Sequence, residues 1–292
     1  MIALFGPTGV GKTAIACSLA ERLRATGERP VAVSADAFQI YAGLELLTAW
    51  PSREQRARLH HELIGCIPVS ESLSVARYAA LAHTRIDALL AQGSSPIVVG
   101  GTGLYLRAAL TELSFRPAAP AAVRARWTAY ADALGPAALH ALLEDRAPAT
   151  AATIAPTDRQ RIVRSLELDE IGELRAPVQR SQLWSADVRR PTRLIGLVME
   201  RDELYARIDA RVDGIVAAGA RAEVEAALCC GASATARKAL GFRELLEDDI
   251  DGLKRRTRNY ARRQLTWMRK LADVELIDVT GRGPDDVAAA LQ

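Results

Sequence analysis

The chain has 292 residues, of which 49% are apolar and 25% are charged, and its formal net charge is +3. These values are ordinary for a folded globular protein and exclude long disordered or collagen-like stretches. A net charge this small does not by itself indicate a nucleic-acid partner, so the distribution of charge along the chain has to decide.

The four cysteines form no CxxC pair and have no histidine at ligand spacing, so they indicate neither a zinc site nor a redox motif. The chain opens on a short apolar segment and a glycine loop rather than a signal peptide. No apolar run approaches the ~20 residues of a membrane span. These features predict a cytoplasmic protein.

Short apolar segments alternate with helical patterns along the first third of the chain. Strands are predicted at Ile2 to Phe5, Pro30 to Ser34 and Pro96 to Val99, and helices at Lys12 to Leu23, Ser74 to Ala91 and Leu104 to Leu110. This alternation is typical of βαβ units, so it predicts an α/β fold with a parallel sheet flanked by helices.

The strand pattern then disappears, and a pattern rich in alanine, leucine and arginine takes over. We predict a helical insertion domain at residues 116–190, set into a catalytic core of residues 1–115 and 191–292. After it the predicted elements are a strand at Arg193 to Met199, helices from about Arg201 to Leu271, a strand at Val274 to Ile277 and a short terminal helix.

A phosphate-binding motif lies between the first strand and the first helix, where such motifs function. The segment Gly6–Thr13 fits GxxxxGK[ST] and gives the predicted fold a P-loop NTPase-like character. Its backbone N–H groups and Lys12 are predicted to bind phosphate oxygens, and Thr13 to bind the cofactor Mg²⁺. Hydrolases of this class also need an acidic residue at the end of an apolar strand. The best apolar strand here ends in Gly100, so phosphate binding without nucleotide hydrolysis is the sharper hypothesis.

Two further features follow predicted strands at the same edge of the sheet. Asp36 follows the second strand, where its carboxylate can act as a general base beside a bound diphosphate or can simply complete a turn. Gly100-Gly101-Thr102-Gly103 joins the third strand to a helix. It offers more backbone donors and one hydroxyl, unless it serves only as a turn.

The segment Lys254–Lys270 carries eight basic residues and no acidic ones. Within and just after it, Ala261, Leu265, Met268 and Ala272 keep the spacing of a packed helix face. Such a basic face is often only solvated. It would also suit the phosphates of a nucleic acid, and binding there would depend on salt.

Together these segments resemble the tRNA dimethylallyltransferase family, also known as the tRNA isopentenyltransferases. The resemblance spans nearly the whole chain. The matching segments are Gly6–Thr13, Asp36–Tyr41, His60-His61, Ser74–Tyr78, Gly100–Tyr105, Asp158–Arg164, Arg201–Ile208, Ala239–Arg243 and Arg263–Trp267.

The resemblance implies transfer of the dimethylallyl group from dimethylallyl diphosphate to N6 of the adenosine 3′ of a tRNA anticodon. Asp36 would then be the general base, and Thr102 and Arg124 would lie near the reacting centre. The implied diphosphate contacts are Gly6, Pro7, Thr8, Gly9, Val10, Gly11, Lys12, Thr13 and Arg201. The implied tRNA contacts are Asp36, Ala37, Phe38, Gln39, Gln160, Arg161, Ile162, Val163, Arg164, Lys238, Ala239, Leu240, Gly241, Phe242 and Arg243. The partners would be the tRNA anticodon stem-loop and dimethylallyl diphosphate, with no membrane, no obligate protein partner and a monomeric chain.

The chain departs from the family pattern at a few places. Ala37-Phe38 stands where a serine and an aliphatic residue are usual, and Trp50 stands where the family has a lysine. The stretch between Ile171 and Pro191 is also shorter than usual.

Three other functions remain open on the sequence. An adenylate isopentenyltransferase would use AMP as the acceptor, but the insertion and the basic helix favour tRNA. A P-loop small-molecule kinase would share the glycine loop, but not the segments around Asp36 and Gly100. A non-catalytic RNA-binding module would have no reason to place Asp36 beside an intact phosphate loop.

Overall fold

The structure, a computed structural model, describes residues 1–176 and 182–291. It divides the chain into a core unit, Met1–Leu113 with Leu183–Gln292, and a helical unit, Ser114–Gln182. The sequence predicts the insertion at 116–190, whereas the structure groups residues 183–190 with the core unit. The backbone explains this, because the Arg189 N–H donates a hydrogen bond to the Leu110 carbonyl oxygen (2.8 Å). Residues 177–181 of the predicted insertion lie outside the described residues.

Six parallel strands form the main sheet of the core unit, in the order β4-β2-β6-β1-β7-β8. Parallel strands are buried on both faces, which accounts for their continuous apolar runs. The predicted parallel α/β sheet is confirmed, and the first two strands agree with their predicted bounds. The strands are β1 Ile2–Phe5, β2 Pro30–Ser34, β4 His61–Glu62, β6 Ser95–Gly100, β7 Arg193–Val198 and β8 Val274–Asp278.

A small second sheet pairs β3 Tyr41–Ala42 with β5 Ile67–Pro68, also in parallel. Neither of these strands is predicted by the sequence, and neither is β4. Two residues are too few to show the alternation that separates a strand from a loop.

Helices of the core unit cover the main sheet, and their apolar residues meet those of the strands. Helix α1 buries Ile15 and Leu19 in the same cluster as Leu4 of β1 and Ile97 of β6. No helix in the described part of the chain is both long and apolar enough to cross a membrane. The helices are α1 Lys12–Ala25, α2 Arg53–Arg58, α3 Val75–Ala91, α4 Gly103–Leu110, α8 Arg201–Ala217, α9 Ala220–Cys229, α10 Phe242–Leu246, α11 Ile250–Met268 and α12 Pro284–Ala290.

Helix α11 carries the basic segment, and its buried stripe differs in part from the predicted one. The buried residues are Leu253, Thr257, Ala261, Gln264 and Met268. They are spaced by three or four positions, as one face of a helix requires. Gly252, in the first turn of the helix, is also buried. Ala261 and Met268 were both expected on the buried face, whereas Ala272, which was also expected there, lies beyond the end of the helix at Met268. The polar Gln264 is buried instead of its apolar neighbour Leu265, and its side chain hydrogen-bonds to the Thr8 N–H and the Gly101 carbonyl oxygen.

The helical unit consists of α5 Ala121–Arg146, α6 Pro148–Ala151 and α7 Arg159–Glu170. Helix α5 is interrupted at Gly135, whose φ of 77° is a left-handed conformation, and a new helical turn begins at Pro136. Helices α5 and α7 bury a small apolar cluster that includes Trp127, Leu143 and Ile162. The described residues of this unit contain no strand, as the sequence predicts.

We predict opposite effects on stability for the same substitution at two glycines. A Cβ at Gly100 would lie 2.3 Å from the Ala35 carbonyl oxygen, so Gly100→Ala should destabilise the fold by about 1–3 kcal/mol through overpacking. A Cβ at the exposed Gly214 of α8 meets nothing within 4 Å. Gly214→Ala should therefore stabilise by about 0.5–1 kcal/mol. Urea unfolding of both variants checks this, and equal shifts of the two midpoints would contradict it.

Candidate active site

The glycine loop between β1 and α1 is shaped to bind an anion. Gly9 and Gly11 have left-handed φ values of 86° and 96°, which only glycine adopts without strain. Gly11 is the N-cap of α1 and supplies no side-chain hydrogen bond to the helix. The first backbone N–H groups of α1 therefore remain available, and the helix dipole adds positive potential at the same place.

Lys12 is partly buried at this loop. Its Nζ donates to the carbonyl oxygens of Gly6 (2.9 Å) and Pro7 (2.8 Å). Burial lowers the pKa of Lys12 to about 8, while nearby Asp36 opposes the shift and nearby Arg211 adds to it. A phosphate would offer this ammonium a far stronger partner than two neutral carbonyl groups.

A cavity of about 690 Å³ opens beside the glycine loop, within the core unit. Six cationic side chains line it, whereas Asp36 supplies the only carboxylate among the described lining residues. Apolar side chains from α8 and α11 cover part of the wall. The cavity therefore offers a strongly positive region for an anion and an apolar surface for a hydrocarbon group. The cations are Lys12, Arg207, Arg211, Lys238, Arg256 and Arg263.

Asp36 follows β2 and is held by its own backbone turn. Its Oδ1 accepts hydrogen bonds from the N–H groups of Phe38 (2.9 Å) and Gln39 (3.3 Å). This arrangement orients the carboxylate and leaves its second oxygen for a ligand in the cavity. The two sequence hypotheses for Asp36, a turn residue or a base, are compatible, because one oxygen serves the turn.

Two residues central to the site were not assigned a role from the sequence. Arg211 of α8 donates from Nη1 to the Thr8 Oγ1 (3.0 Å), and burial lowers its pKa while Asp36 opposes that shift. Gln264 of α11 accepts from the Thr8 N–H (2.8 Å) and donates to the Gly101 carbonyl oxygen (2.7 Å). Gln264 thus joins the two glycine loops that the sequence places at one edge of the sheet. The sequence holds one feature that could have indicated Arg211: it follows Arg207 by four residues, which places both side chains on the same face of a helix.

The predicted catalytic residues do not all lie in this cavity. The Thr102 Oγ1 is 3.1 Å from the hydroxyl of Tyr260, a lining residue whose pKa is raised by burial. Arg124 belongs to the helical unit, where it pairs with the buried Glu167 (3.1 Å). Arg201 stacks over the Tyr205 ring at 5.2 Å and is not among the described lining residues. Arg207 and Arg211, one to three turns further along α8, occupy the place expected for it.

The predicted tRNA contacts fall into exposed and buried groups. In the helical unit, Gln160, Arg161 and Arg164 line a second cavity of about 540 Å³, whereas Ile162 is fully buried. In the core unit, Lys238 and Leu240 line the main cavity, and the Arg243 side chain is 69% exposed.

Some of the predicted tRNA contacts need correction. The buried side chains of Ile162, Ala239 and Phe242 pack within the protein and cannot reach a partner in this conformation. Gln39 stays a predicted contact, because it lines the main cavity, although its Nε2 already donates to the carbonyl oxygens of Thr48 (3.3 Å) and Ala49 (3.0 Å). The family motifs cover whole segments of sequence. Which residues of a segment are exposed depends on how the segment packs in the fold.

The donor set of the cavity fits Mg²⁺ only if a ligand supplies most of the oxygens. Mg²⁺ is usually bound through one or two carboxylates and substrate phosphates. Here the lining offers the Thr13 hydroxyl and Asp36, and no group of three or more His, Cys, Asp or Glu side chains in the described ranges could hold a metal by itself. A bound diphosphate would complete such a site.

Comparisons with known proteins agree on one family. The sequence model described as IPP transferase matches residues 39–271. A tRNA dimethylallyltransferase of Kineococcus radiotolerans is 40% identical over 99% of this chain and 94% of its own length, and one of Rhodospirillum centenum is 43% identical over 90% and 86%. The crystal structure of the full-length tRNA isopentenylpyrophosphate transferase from Bacillus halodurans superposes with a TM-score of 0.69 at 34% identity, over 99% of this chain and 93% of that one.

The pKa of Lys12 predicts how diphosphate binding changes with pH. With a pKa of about 8, the side chain is mostly charged at pH 7 and mostly neutral at pH 9. The affinity for inorganic diphosphate should therefore fall about tenfold over this range. Lys12→Arg is the matched control, because arginine stays protonated throughout. Calorimetric titrations at several pH values check this, and equal pH dependence in both proteins would rule Lys12 out as the titrating group.

Proposed function

The chain belongs to the IPP transferase family, and from that membership and the geometry of the cavity we propose its reaction. The enzyme transfers the dimethylallyl group of dimethylallyl diphosphate to N6 of the adenosine 3′ of a tRNA anticodon and releases diphosphate. The observation that carries this proposal is the cavity itself. Its described lining brings a phosphate-binding loop, six cationic side chains, an apolar wall and a single carboxylate together.

The glycine loop and the partly buried cations would bind the diphosphate. Backbone N–H groups at the start of α1, Lys12 and Arg211 supply fixed positive charge where negative charge develops on the leaving group. Because these donors are already in place, they need no reorganisation when the C–O bond breaks. When bound, Mg²⁺ would neutralise more of that charge, with Thr13 contributing a ligand.

Asp36 would act on the acceptor. The N6 amine of adenine is a weak nucleophile, because its lone pair is delocalised into the ring. As the nitrogen bonds to C1 of the dimethylallyl group, the Asp36 carboxylate accepts one of its protons, while the electron pair of the C1–O bond leaves with the diphosphate. The Asx turn through Phe38 and Gln39 holds Asp36 in place for this step.

A base in the anticodon loop has to leave its stack to reach a cavity of this kind. The basic residues of α11 offer a surface for the surrounding phosphates. Arg255, Arg262 and Arg269 recur every seven residues and are exposed, so they share one face of the helix or its immediate continuation. The protein would act as a monomer in the cytoplasm, where unmodified tRNA is present.

One incubation tests the proposed function against its alternatives. The protein is mixed with labelled dimethylallyl diphosphate and either unmodified tRNA or AMP, and ATP hydrolysis is measured separately. We expect label in tRNA only. Label in AMP would favour an adenylate isopentenyltransferase, and ATP turnover with no transfer of label would favour a kinase. The family relatives favour the first outcome, because they are named for tRNA.

We predict that Asp36→Asn separates binding from chemistry. Asparagine keeps the Oδ1 acceptor of the turn but removes the proton acceptor, so the single-turnover rate should fall about 100-fold or more. Dissociation constants for tRNA and dimethylallyl diphosphate should stay within about twofold, because the turn and the cations are intact. Rapid-quench transfer at saturating concentrations of both substrates measures the chemical step. A normal rate would mean that Asp36 only orients the base.

We predict that arginines of α11 without a carboxylate partner govern the salt dependence of tRNA binding. Within the described part of the chain, the Arg262 side chain donates only to Asn259, whereas Arg258 pairs with the carboxylate of Asp209 (3.4 Å). Arg262→Ala should lower the slope of log affinity against log salt by about 0.7–0.9, the value for one lost phosphate contact. Arg258→Ala should change it less. Filter binding over a range of salt concentrations measures both slopes, and identical slopes for both variants and the wild type would exclude α11 from the interface.

A further inference from the structure

A tight turn, which we call the wall turn, forms one side of the main cavity. It covers residues 44–50, and its last four members, Leu47 to Trp50, line the cavity. Ala49 adopts a φ of 46°, a left-handed conformation that is unfavourable for alanine. The surrounding structure must therefore impose this shape on the turn.

Two side chains from elsewhere hold the wall turn in place. The first is Gln39, whose amide bonds to the carbonyl oxygens of Thr48 and Ala49. The second is Glu223 of α9. Its Oε1 accepts from the Leu46 N–H and its Oε2 from the Leu47 N–H, each at 2.8 Å. A carboxylate that accepts two backbone N–H groups forms charge-assisted bonds, which are stronger than neutral ones.

The position of Glu223 is itself fixed. It lies in the first turn of α9, and Ala220, Val224 and Ala227 bury the adjacent face of that helix in the core. Burial raises the pKa of Glu223. The N–H groups of Leu47 and Leu46 oppose the shift, and the neighbouring Glu45 adds to it. Both oxygens of this partly buried carboxylate accept hydrogen bonds from the wall turn. The side chain therefore stabilises the turn rather than interacting with solvent.

The wall turn ends in Trp50, whose indole is seated against Gly65. A Cβ at Gly65 would lie 2.1 Å from the Trp50 ring, so a residue with any side chain there would displace the indole. The Trp50 Nε1–H is buried and has no hydrogen-bond partner among the described residues. The indole is therefore held by packing rather than by a hydrogen bond, and because Trp50 also lines the main cavity, its position shapes the space that a base would enter.

We propose that Glu223 is a positioning residue for the acceptor nucleoside, and that it acts by holding the wall turn and Trp50 against the base that enters the cavity. The proposal rests on the proposed function, because it takes the occupant of this side to be the adenosine that Asp36 deprotonates. Gln39 connects the two features, since its backbone bonds to Asp36 and its side chain to the wall turn. The diphosphate loop lies on other elements, so its ligand should be unaffected by Glu223.

Three variants of the full-length enzyme test the proposal. Glu223→Ala removes both acceptors, and Glu223→Gln keeps one acceptor oxygen without the charge. Glu225→Ala is the matched control, because Glu225 lies on the same helix and pairs only with Arg221 at the surface. We expect Glu223→Ala to raise the KM for tRNA about tenfold, the equivalent of one lost charge-assisted bond. Glu223→Gln should recover part of this, and Glu225→Ala should match the wild type. The KM for dimethylallyl diphosphate should stay within about twofold in all three variants.

Hydrogen exchange gives a second readout that does not depend on activity. In Glu223→Ala, the amides of the peptide covering residues 44–50 should exchange faster, while those of the glycine loop keep their wild-type rates. Unchanged exchange in residues 44–50 would overturn the proposal, and so would equal rises of both KM values. A wild-type enzyme that transfers no label to tRNA would instead contradict the proposed function, and the exchange result would still decide whether Glu223 holds the turn.

Discussion

Lys12 and Arg211 are held together in a space where burial lowers the pKa of both side chains. Two partly buried cations near one another repel, and Asp36 provides one negative charge to offset them. Such an arrangement is stable when the fold compels it, and it is relieved when a multiply charged anion enters. The neighbouring elements serve this pair of cations. Helix α8 carries Arg211, the turn after β2 holds Asp36, and Gln264 of α11 hydrogen-bonds to the loop that carries Lys12.

The order of the central strands brings the chemistry together. Strands β2, β6 and β1 are adjacent, and their carboxyl ends lead into Asp36, the Gly100–Gly103 loop and the Gly6–Thr13 loop. Ligands in parallel sheets bind at this edge. Helices α8 and α11 then contribute Arg211 and Gln264 from the far end of the chain. The site is therefore built from a sheet edge that presents backbone donors and two helices that complete it with side chains.

The sequence was informative where local pattern and structure coincide. Strands β1 and β2 are continuous apolar runs bounded by glycine, proline or polar residues, and the glycine loop has a spacing that few other structures require. Gln264 and Glu223 carry no local signal, and Arg211 has only its spacing from Arg207, because the roles of all three depend on partners more than 150 residues away. Ile162 and Phe242 were included with tRNA-binding segments because a motif treats neighbours alike, whereas a helix buries some of them and exposes others.

The placement of β1 has a consequence for how the protein is made. Strand β1 is central in the sheet, and one of its two neighbours is β7, with Ile2 opposite Arg193. During synthesis, one edge of β1 stays without its partner until the whole helical unit has emerged from the ribosome. Such an unpaired strand is an aggregation hazard. The helical unit has its own apolar cluster, so its packing does not have to wait for the sheet to close. The glycine loop acquires Arg211 and Gln264 later still, so that translation of nearly the entire chain must precede a functional anion site.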